Sequence, residues 1–297
     1  MFNIIKSRIP KDSDSKRLFH GRGKKWPAYE HLSIDYYAPN VLVTTYKEIT
    51  EEEKTSLRNI LKGFPELKIE SVVLQKRYGK GESVEILVGE EPRDCLAVEK
   101  SEKYSISLTN SKNIGFFLDM AIGRDFVRAH SAGKKVLNLF SYTCSLSVAA
   151  LKGGALQVVN VDMSKPSLSV GEQNHTLNGL DKRLAKFVPH DIMKSFGSLA
   201  RKGPYDLVII DPPTNQGDSF KADRDYHKIV RRLHTMTSKD ALVMACLNSP
   251  HLTSEFLLQA FAEHAPQFSF QEKFYSSFSD MEVNPEEGLK ILIFKKN

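Results

Sequence analysis

The sequence predicts an α/β protein in which a doubly wound, mostly parallel sheet follows a smaller α+β domain. From Lys134 onward, short and nearly continuous apolar strands alternate with helical segments, a pattern typical of parallel sheets covered by helices on both faces. Before that point, strands rich in β-branched residues alternate less regularly with a helix. The 297 residues suffice for two domains, which we place at residues 1–110 and 111–297.

The predicted first domain begins with a basic segment and continues as strands around one helix. Residues 31–46 carry the β-branched and aromatic side chains of strands. Residues 50–64 predict a helix, because Thr50 can cap its start and Glu53 stands three residues later. Further strands are predicted at residues 69–78, 83–89 and 95–108.

The predicted second domain supplies the strands of the larger sheet. Helical segments such as 165–179 and 223–236 separate the first five strands. The last two strands are joined by a segment too short for a clear crossover helix, so we expect them to close the sheet as an antiparallel pair. In chain order, the candidate strands are 136–140, 156–162, 185–191, 205–211, 241–248, 268–276 and 289–296.

Composition excludes several classes of protein. Hydrophobic residues make up 41% and charged residues 26% of the chain, as in soluble globular proteins. No apolar run reaches about 18 residues, so no membrane span is predicted, and the charged start is unlike a signal peptide. The cysteines show no metal-ligand spacing and the histidines no zinc motif, so we expect no metal and a reducing, cytoplasmic setting.

Basic residues concentrate in two stretches of the predicted first domain. The net charge is +6, and residues 16–26 interleave cations with Phe19, His20 and Trp26 without an acid. Cations neutralise phosphates and aromatic rings stack on bases. We therefore predict a nucleic-acid partner, with a solvated arm as the alternative. The candidate phosphate-binding residues are Lys16, Arg17, Arg22, Lys24, Lys25, Lys76, Arg77 and Lys80.

Acid or amide side chains stand at the ends of four consecutive predicted strands: Asn138, Asp162, Asp191 and Asp211. Open parallel sheets bind ligands beyond the carboxyl ends of their strands. An acid at the end of the second strand commonly accepts hydrogen bonds from ribose hydroxyls. Each acid alone could cap a helix, but together they favour a nucleoside-shaped ligand.

The loop after the first strand of this sheet has no glycine between Val136 and Leu151. A pyrophosphate needs glycines so that backbone N–H groups can approach it, and the acidic strand ends would repel phosphates. S-adenosylmethionine carries adenine and ribose without phosphate, and its sulfonium and ammonium are cationic. We therefore predict S-adenosylmethionine as the cofactor.

The segment DPPT, Asp211 to Thr214, is the candidate catalytic segment. Its two prolines fix φ and exclude helical conformation at Asp211. We expect a stiff turn in which Asp211, Pro212, Pro213 and Thr214 face the pocket and hold an amine or ring nitrogen against the cofactor's methyl group. The alternative is a turn that only stiffens the loop.

The stretch VLNLFSYTCSLSVAALKGGALQVVNVDMSKPSLSVGEQNHTLNGL, together with YDLVIIDPPT, resembles the class I S-adenosylmethionine-dependent methyltransferases that act on large-subunit ribosomal RNA. Within them the chain is most similar to the domain that methylates guanine N7 of 23S ribosomal RNA. GFFLD at residues 115–119 and LQKRYGKG also match. The resemblance implies a seven-stranded Rossmann-like methyltransferase sheet behind a smaller α+β domain that helps engage RNA.

The resemblance also implies roles for single residues. Asn138 to Thr143 would surround the methionine part of the cofactor, Asp162 would take the ribose, and Met163 would lie against adenine. Asp191 would lie near the adenine amino group, and Asp211 to Thr214 would face the target base. The expected cofactor-binding residues are Phe117, Asp119, Asn138, Phe140, Ser141, Tyr142, Thr143, Asp162, Met163, Asp191, Ile192 and Asp211.

The chain departs from the family pattern at three places. Cys144 stands where the family has glycine, and Ala121 where it has arginine, the nearest arginine being Arg124. The polar segment after DPPT also differs. The departures at Cys144 and Ala121 leave open a catalytically weak RNA-binding or ribosome assembly factor.

The target atom is the second open question. Guanine N7 presents its own lone pair, so transfer there needs no nucleophilic residue. Cytosine C5 requires a cysteine that adds to the ring, and related enzymes place one after the fifth strand. Cys246 stands one position from where that cysteine aligns, and we expect it to be a buried strand residue. Cys144, at a predicted helix start, is the weaker candidate.

Overall fold

The computed structural model describes residues 1–79, 83–109, 113–217 and 219–297. The chain forms two compact units, the first made of Met1–Leu118 with Phe278–Val283 and the second of Asp119–Ser277 with Asn284–Asn297. The first unit therefore ends eight residues after the boundary predicted at residue 110 (118 − 110). It also includes a segment between the last two strands, which the sequence had assigned to the second domain.

The first unit is built on a five-stranded sheet of order β1-β2-β3-β4-β5. Neighbouring strands are antiparallel except β3 and β4, which are parallel; β6 and β7 form a separate hairpin. Its elements are α1 (Phe2–Arg8), β1 (Lys16–His20), β2 (Leu32–Tyr37), β3 (Asn40–Thr45), α2 (Glu51–Lys62), β4 (Ser71–Lys76), β5 (Ser83–Val88), β6 (Leu96–Glu99) and β7 (Glu102–Ser105).

Two local features explain how this unit folds. Helix α2 begins with the predicted capping box: the Thr50 side chain accepts from Glu53 N at 3.2 Å, and Glu53 accepts from Thr50 N at 2.7 Å. The basic stretch 16–20 is strand β1, whose Leu18 and Phe19 are buried. This stretch is therefore an ordered edge strand, not the solvated arm that was the alternative.

The second unit is a seven-stranded sheet of order β10-β9-β8-β11-β14-β16-β15. The first five strands run parallel and the last two close the sheet antiparallel, as predicted. Its elements are α3 (Ala121–His130), β8 (Lys135–Leu139), α4 (Ser145–Lys152), β9 (Gln157–Val161), α5 (Lys165–Leu177), β10 (Ala185–Val188), α6 (Phe196–Lys202), β11 (Tyr205–Ile210), β12 (Asn215–Gln216), β13 (Phe220–Lys221), α7 (Ala222–Val230), β14 (Thr237–Asn248), α8 (Ser254–His264), β15 (Phe268–Tyr275) and β16 (Leu289–Lys296).

Both faces of the larger sheet are buried, which explains its nearly continuous apolar strands. Along β8, Val136 packs on the face covered by α3 and α4, whereas Leu137 packs on the opposite face beneath α6, α7 and α8. Each fully buried Val or Leu contributes about 1.5–3 kcal/mol. The strand order reverses between β8 and β11. The carboxyl ends of these two strands therefore lie next to each other at the topological switch point of the sheet, where such sheets bind ligands.

Candidate functional site

The loop from β8 to α4 has an unusual backbone. Phe140, Tyr142 and Cys144 have φ values of 58°, 46° and 62°, and this left-handed region costs a residue with a Cβ about 1–2 kcal/mol. A carboxylate compensates part of this cost, because Asp162 Oδ2 accepts from Tyr142 N at 2.8 Å. Strain of this kind is characteristic of functional sites. The loop forms its concave turn without a single glycine.

A buried polar network fixes the residue that precedes this loop. Asn138 Nδ2 donates to Asn160 Oδ1 at 3.0 Å, and Asn160 Nδ2 donates to Ser147 Oγ at 3.0 Å. Ser147 Oγ in turn lies 2.9 Å from His175 Nε2. The network joins β8, β9, α4 and α5, so the orientation of the Asn138 amide is set by four elements.

Two buried oxygens at the end of β8 lack partners. Asn138 Oδ1 and Ser141 Oγ have no hydrogen-bond partner among the described residues. Leaving a buried polar atom unpaired costs about 1–3 kcal/mol. Oxygen atoms held in this way can accept hydrogen bonds from a ligand's ammonium group.

Asp162 directly follows β9, and its carboxylate accepts hydrogen bonds from two neighbouring turns. Its Oδ1 accepts from Ser164 N at 2.8 Å, while Oδ2 holds the loop N–H of Tyr142. Each carboxylate oxygen has a second lone-pair direction. The side chain can therefore hold the loop and accept from a ribose hydroxyl together.

A pocket lies beside these residues at the carboxyl edge of the sheet. Ring packing closes one wall, with the centroids of Phe140 and Phe220 5.0 Å apart, and Met163 remains 44% exposed. The pocket brings together five predicted cofactor residues and four that the sequence did not single out. The lining residues are Phe140, Asp162, Met163, Asp191, Ile192, Met193, Gln216, Ser219 and Phe220.

Asp191 has a structural role besides its place in the pocket wall. Its Oδ1 accepts from Met193 N at 2.9 Å and so caps a short 3₁₀ helix. The helix-cap alternative therefore holds for this residue. A carboxylate can do both, since the cap occupies only one of its acceptor directions.

The DPPT segment is a non-helical turn that connects the ends of two strands. Thr214 Oγ1 donates to Asn248 O at the end of β14, and Thr214 O accepts from Ala222 N at 3.1 Å. From α7, the buried Tyr226 hydroxyl donates to Cys246 O at 3.1 Å. The turn is thus anchored to β14 and α7, and Tyr226 is a supporting residue that the sequence did not reveal.

Asp211 is half-buried at the end of β11 in an environment with mixed charges. Burial raises the pKa of its carboxyl to about 7; the charge of Asp119 raises it further and that of Arg124 lowers it. Arg124 is completely buried. A guanidinium from α3 therefore acts on this carboxylate, although Ala121 replaces the arginine expected one turn earlier.

The predicted phosphate-binding residues of the first unit differ in their surroundings. Some are engaged with carboxylates: Arg17 pairs with Asp35 at 2.6 Å and Lys76 with Glu85 at 2.7 Å. Arg77 is half-buried, and Lys80 lies outside the described residues. The exposed members are Lys16, Arg22, Lys24 and Lys25.

A family model for S-adenosylmethionine-dependent methyltransferases matches residues 16–295. The chain belongs to this family. Family membership confirms the predicted cofactor class and enzyme class, and the sheet order confirms the predicted fold.

The methyltransferase is similar to curated proteins named ribosomal RNA large subunit methyltransferase I. The Aeromonas hydrophila protein is 34% identical over 189 residues, which cover 61% of this chain and 48% of that protein. The Shigella boydii serotype 18 protein is 27% identical over 281 residues, covering 92% of this chain and 70% of that protein. The first match thus spans about half of its relative's length.

Solved structures agree with this assignment. The crystal structure of a methyltransferase complexed with SAH superposes with a TM-score of 0.85 at 26% identity, covering 96% of this chain and 76% of the other. A methyltransferase from Streptococcus mutans superposes with a TM-score of 0.83 at 26% identity, covering 97% and 76%. Both similarities extend over nearly all of this chain and about three quarters of the other.

The residues of this methyltransferase fit its family's cofactor. The unpartnered Asn138 Oδ1 and Ser141 Oγ suit an ammonium group, and the acid Asp162 opens on the same pocket as Met163. A loop without glycine suits a cofactor without phosphate. Of the other predicted cofactor residues, Asp119 begins the second unit, whereas Phe117 belongs to the first unit and is 42% exposed.

The cysteines of the methyltransferase are all buried and unpaired. Burial raises the pKa of Cys246 well above its ordinary value, and the charges of Asp211 and Asp119 raise it further. Burial likewise raises the pKa of Cys144. Because the thiolate is the nucleophilic form, neither side chain has the exposure or the ionisation of a reactive cysteine.

Among residues 1–79, 83–109, 113–217 and 219–297, no three metal-ligating side chains cluster, and no helix is long and apolar enough to cross a membrane.

Proposed function

We propose that this methyltransferase modifies large-subunit ribosomal RNA and transfers its methyl group to guanine N7. The observation that best supports a nitrogen target is the DPPT turn, which follows β11, is anchored to the end of β14, and has no accessible thiol beside it, since all three cysteines are buried. The relatives named ribosomal RNA large subunit methyltransferase I support the RNA class. The exposed cations of the first unit support an anionic polymer.

We assign the cofactor-binding roles as follows. Asn138 and Ser141 accept from the ammonium group of the methionine part, for which their unpartnered oxygens are available. Asp162 accepts from the ribose, and Met163 packs against the adenine, since both line the pocket. Asp191 takes the adenine amino group while capping its own helix.

Bound S-adenosylmethionine supplies an electrophilic methyl group on a positively charged sulfur. Guanine N7 would accept the methyl group through its own lone pair, with S-adenosylhomocysteine as the leaving product and the positive charge left on the purine. Asp211 in its ionised form stabilises this charge on the base. Positioning by the rigid turn supplies most of the remaining acceleration, so no covalent intermediate is required.

Transfer to cytosine C5 is the competing reaction. It would require Cys246 to leave the interior of β14 and ionise next to Asp211. A stable adduct between the protein and RNA containing 5-fluorocytosine, lost in Cys246→Ser, would establish it. The third alternative, an RNA-binding assembly factor, predicts RNA binding without methyl transfer.

Methyl transfer in vitro separates these functions. Ribosomal RNA from a strain lacking the gene is incubated with the protein and radiolabelled S-adenosylmethionine, and the nucleosides are then separated. We expect label in 7-methylguanosine and micromolar binding of S-adenosylhomocysteine by titration calorimetry. Label in 5-methylcytidine would show that the target atom is cytosine C5 and would contradict guanine N7. Binding of RNA without binding of the cofactor product at millimolar concentration would leave only the assembly role.

A further inference from the structure

Three side chains of the first unit meet away from the cofactor pocket. The Arg22 guanidinium carbon lies 4.3 Å from the centroid of the Tyr46 ring, and Arg77 Nη1 donates to Tyr46 Oη at 3.4 Å. Tyr46 and Arg77 directly follow the parallel strands β3 and β4, and Arg77 N donates to Thr45 O at 2.7 Å. The sheet therefore fixes where two of the three side chains begin.

Among the described residues, the two arginines of this cluster have no carboxylate partner of the kind that Arg17 has. No described carboxylate pairs with Arg22 or Arg77, whereas Arg17 pairs with Asp35 at 2.6 Å. The Arg77 Nε atom is buried and has no hydrogen-bond partner among the described residues. Two guanidinium groups on one phenol repel each other, so an anion bound between them would offset both charges.

The Tyr46 phenol lies in the positive electrostatic field of Arg22 and Arg77. Burial alone would raise the pKa of Tyr46, but the charge of Arg22 and the hydrogen bond and charge of Arg77 together lower it below its ordinary value. The local field therefore favours negative charge at the point where the three side chains meet.

We propose that Arg22, Tyr46 and Arg77 form a binding site for one phosphate of the RNA backbone. The inference rests on the proposed RNA substrate. Guanidinium groups bind phosphate through parallel N–H donors, and the phenol hydroxyl adds a further donor. Lys24 and Lys25 follow Arg22 in the chain and are exposed, as expected where a polyanion continues beyond a single anchored phosphate. Arg17 and Lys76, in contrast, pair with carboxylates and so stabilise the fold of the first unit.

RNA binding by the full-length protein tests the site. Anisotropy of a fluorescein-labelled ribosomal RNA fragment is measured for the wild type and for Arg22→Gln, Arg77→Gln and Tyr46→Phe. We expect each glutamine variant to bind about tenfold more weakly, because a charged hydrogen bond to phosphate is lost. The double variant should lower the slope of log affinity against log salt by about 1. Tyr46→Phe keeps the ring beneath Arg22 and should lose less.

Arg58→Gln is the matched control, since Arg58 lies in the same unit and donates to Leu87 O and to Thr55 Oγ1. It should bind RNA within twofold of the wild type. Inorganic phosphate, compared with chloride at equal ionic strength, should compete with RNA for the wild type more than for Arg77→Gln. All variants should keep the wild-type affinity for S-adenosylhomocysteine, which reports folding of the second unit.

Unchanged RNA affinity and salt slope in the double variant would overturn the site while leaving the proposed function intact. Phosphate binding that depends on both arginines, with unchanged RNA affinity, would assign the site to free phosphate and also overturn the inference. A wild-type protein that binds no RNA would overturn both the site and the proposed substrate.

Discussion

Among single residues, Asp211 is the one whose proposed role lowers the stability of the folded protein, because that role requires its carboxyl to be ionised. A carboxyl whose pKa is about 7 in the folded state is protonated where the unfolded chain is already ionised. Its contribution to stability is therefore fully present below about pH 4 and is lost as the pH rises through 7. The loss is at most on the order of 4 kcal/mol, and solvent at the half-buried carboxylate reduces it. Proteins tolerate such costs at sites that act on charged groups.

Asp211→Asn should remove this pH dependence and the activity together. The amide carries no charge, so the thermal midpoint should fall less between pH 5 and pH 8 than in the wild type. Methyl transfer should drop at least tenfold at pH 8, because the developing charge on the base loses its counter-ion. Unfolding monitored by calorimetry across that range provides the measurement. With Asp223→Asn, an exposed acid of the same unit, the wild-type profile should persist. Parallel profiles for Asp211→Asn and the wild type would refute this account of Asp211.

Asp162→Ala should weaken binding of S-adenosylhomocysteine by about 10- to 100-fold. The substitution removes the ribose acceptor and leaves the Tyr142 N–H without its 2.8 Å partner, a loss of about 1–3 kcal/mol. Titration calorimetry measures the affinity. Asp181→Ala is the control, since that exposed acid pairs with Arg183, and its affinity should not change. An unchanged affinity in Asp162→Ala would remove the ribose role.

At this scale, the sequence identified residues whose chemistry is unusual for their position. Acids at strand ends, such as Asp162 and Asp191, drew attention because they follow apolar runs, and both line the pocket. Gln216 and Phe220 were missed because they lie where the chain departs from the family pattern. Tyr226 was missed because a tyrosine on a helix gives no sign of which carbonyl its hydroxyl will reach.

At the level of elements, the β8–α4 loop packs closely against helix α5 where Cys144 meets Gly171. Cys144 adopts a left-handed φ of 62°, at the position where the resemblance led us to expect glycine. A Cβ added to Gly171 of α5 would lie 2.6 Å from Cys144 Sγ. The thiol therefore fills the space that the helix glycine leaves open.

Gly171→Ala should destabilise the second unit by about 1–3 kcal/mol through overpacking and weaken S-adenosylhomocysteine binding at least tenfold by moving the loop. Adding Cys144→Gly should restore most of both losses, giving a coupling energy of at least 0.5 kcal/mol in a double-mutant cycle. Thermal unfolding and calorimetry supply the two readouts. Gly197→Ala is the control, because its added Cβ would approach only Arg201 Nη1, at 3.8 Å. Additive losses in the double variant would refute the fit between the two elements.

Elements were predictable wherever one local rule dominated. The capping box at Thr50 and the apolar runs of β8 to β11 located their helix and strands within a few residues. The sequence did not predict strand β1, because its charges obscure Leu18 and Phe19, and these adjacent residues are both buried and so show no alternation. Its pairing with β2 is a long-range hydrogen-bonding contact that local composition does not encode.

At the level of the whole molecule, the chain order did not reveal how the two units are composed. The segment Phe278–Val283 returns to the first unit, where Val283 N donates to Gly23 O at 2.7 Å and Asp280 pairs with Arg8. The sequence placed this segment between two strands of the larger sheet and so assigned it to the second domain. The parallel sheet and its antiparallel closing pair, by contrast, followed from the regular alternation of strand and helix, because crossover connections restrict the topology; the order of the strands was not predicted.

Methylation of ribosomal RNA in cells tests the central claim most directly. Large-subunit RNA from a strain lacking the gene is mapped by mass spectrometry and compared with strains that express the wild type, Cys246→Ala or Asp211→Asn. We expect one missing 7-methylguanosine, restored by the wild type and by Cys246→Ala but not by Asp211→Asn. A missing 5-methylcytidine that Cys246→Ala fails to restore would contradict it.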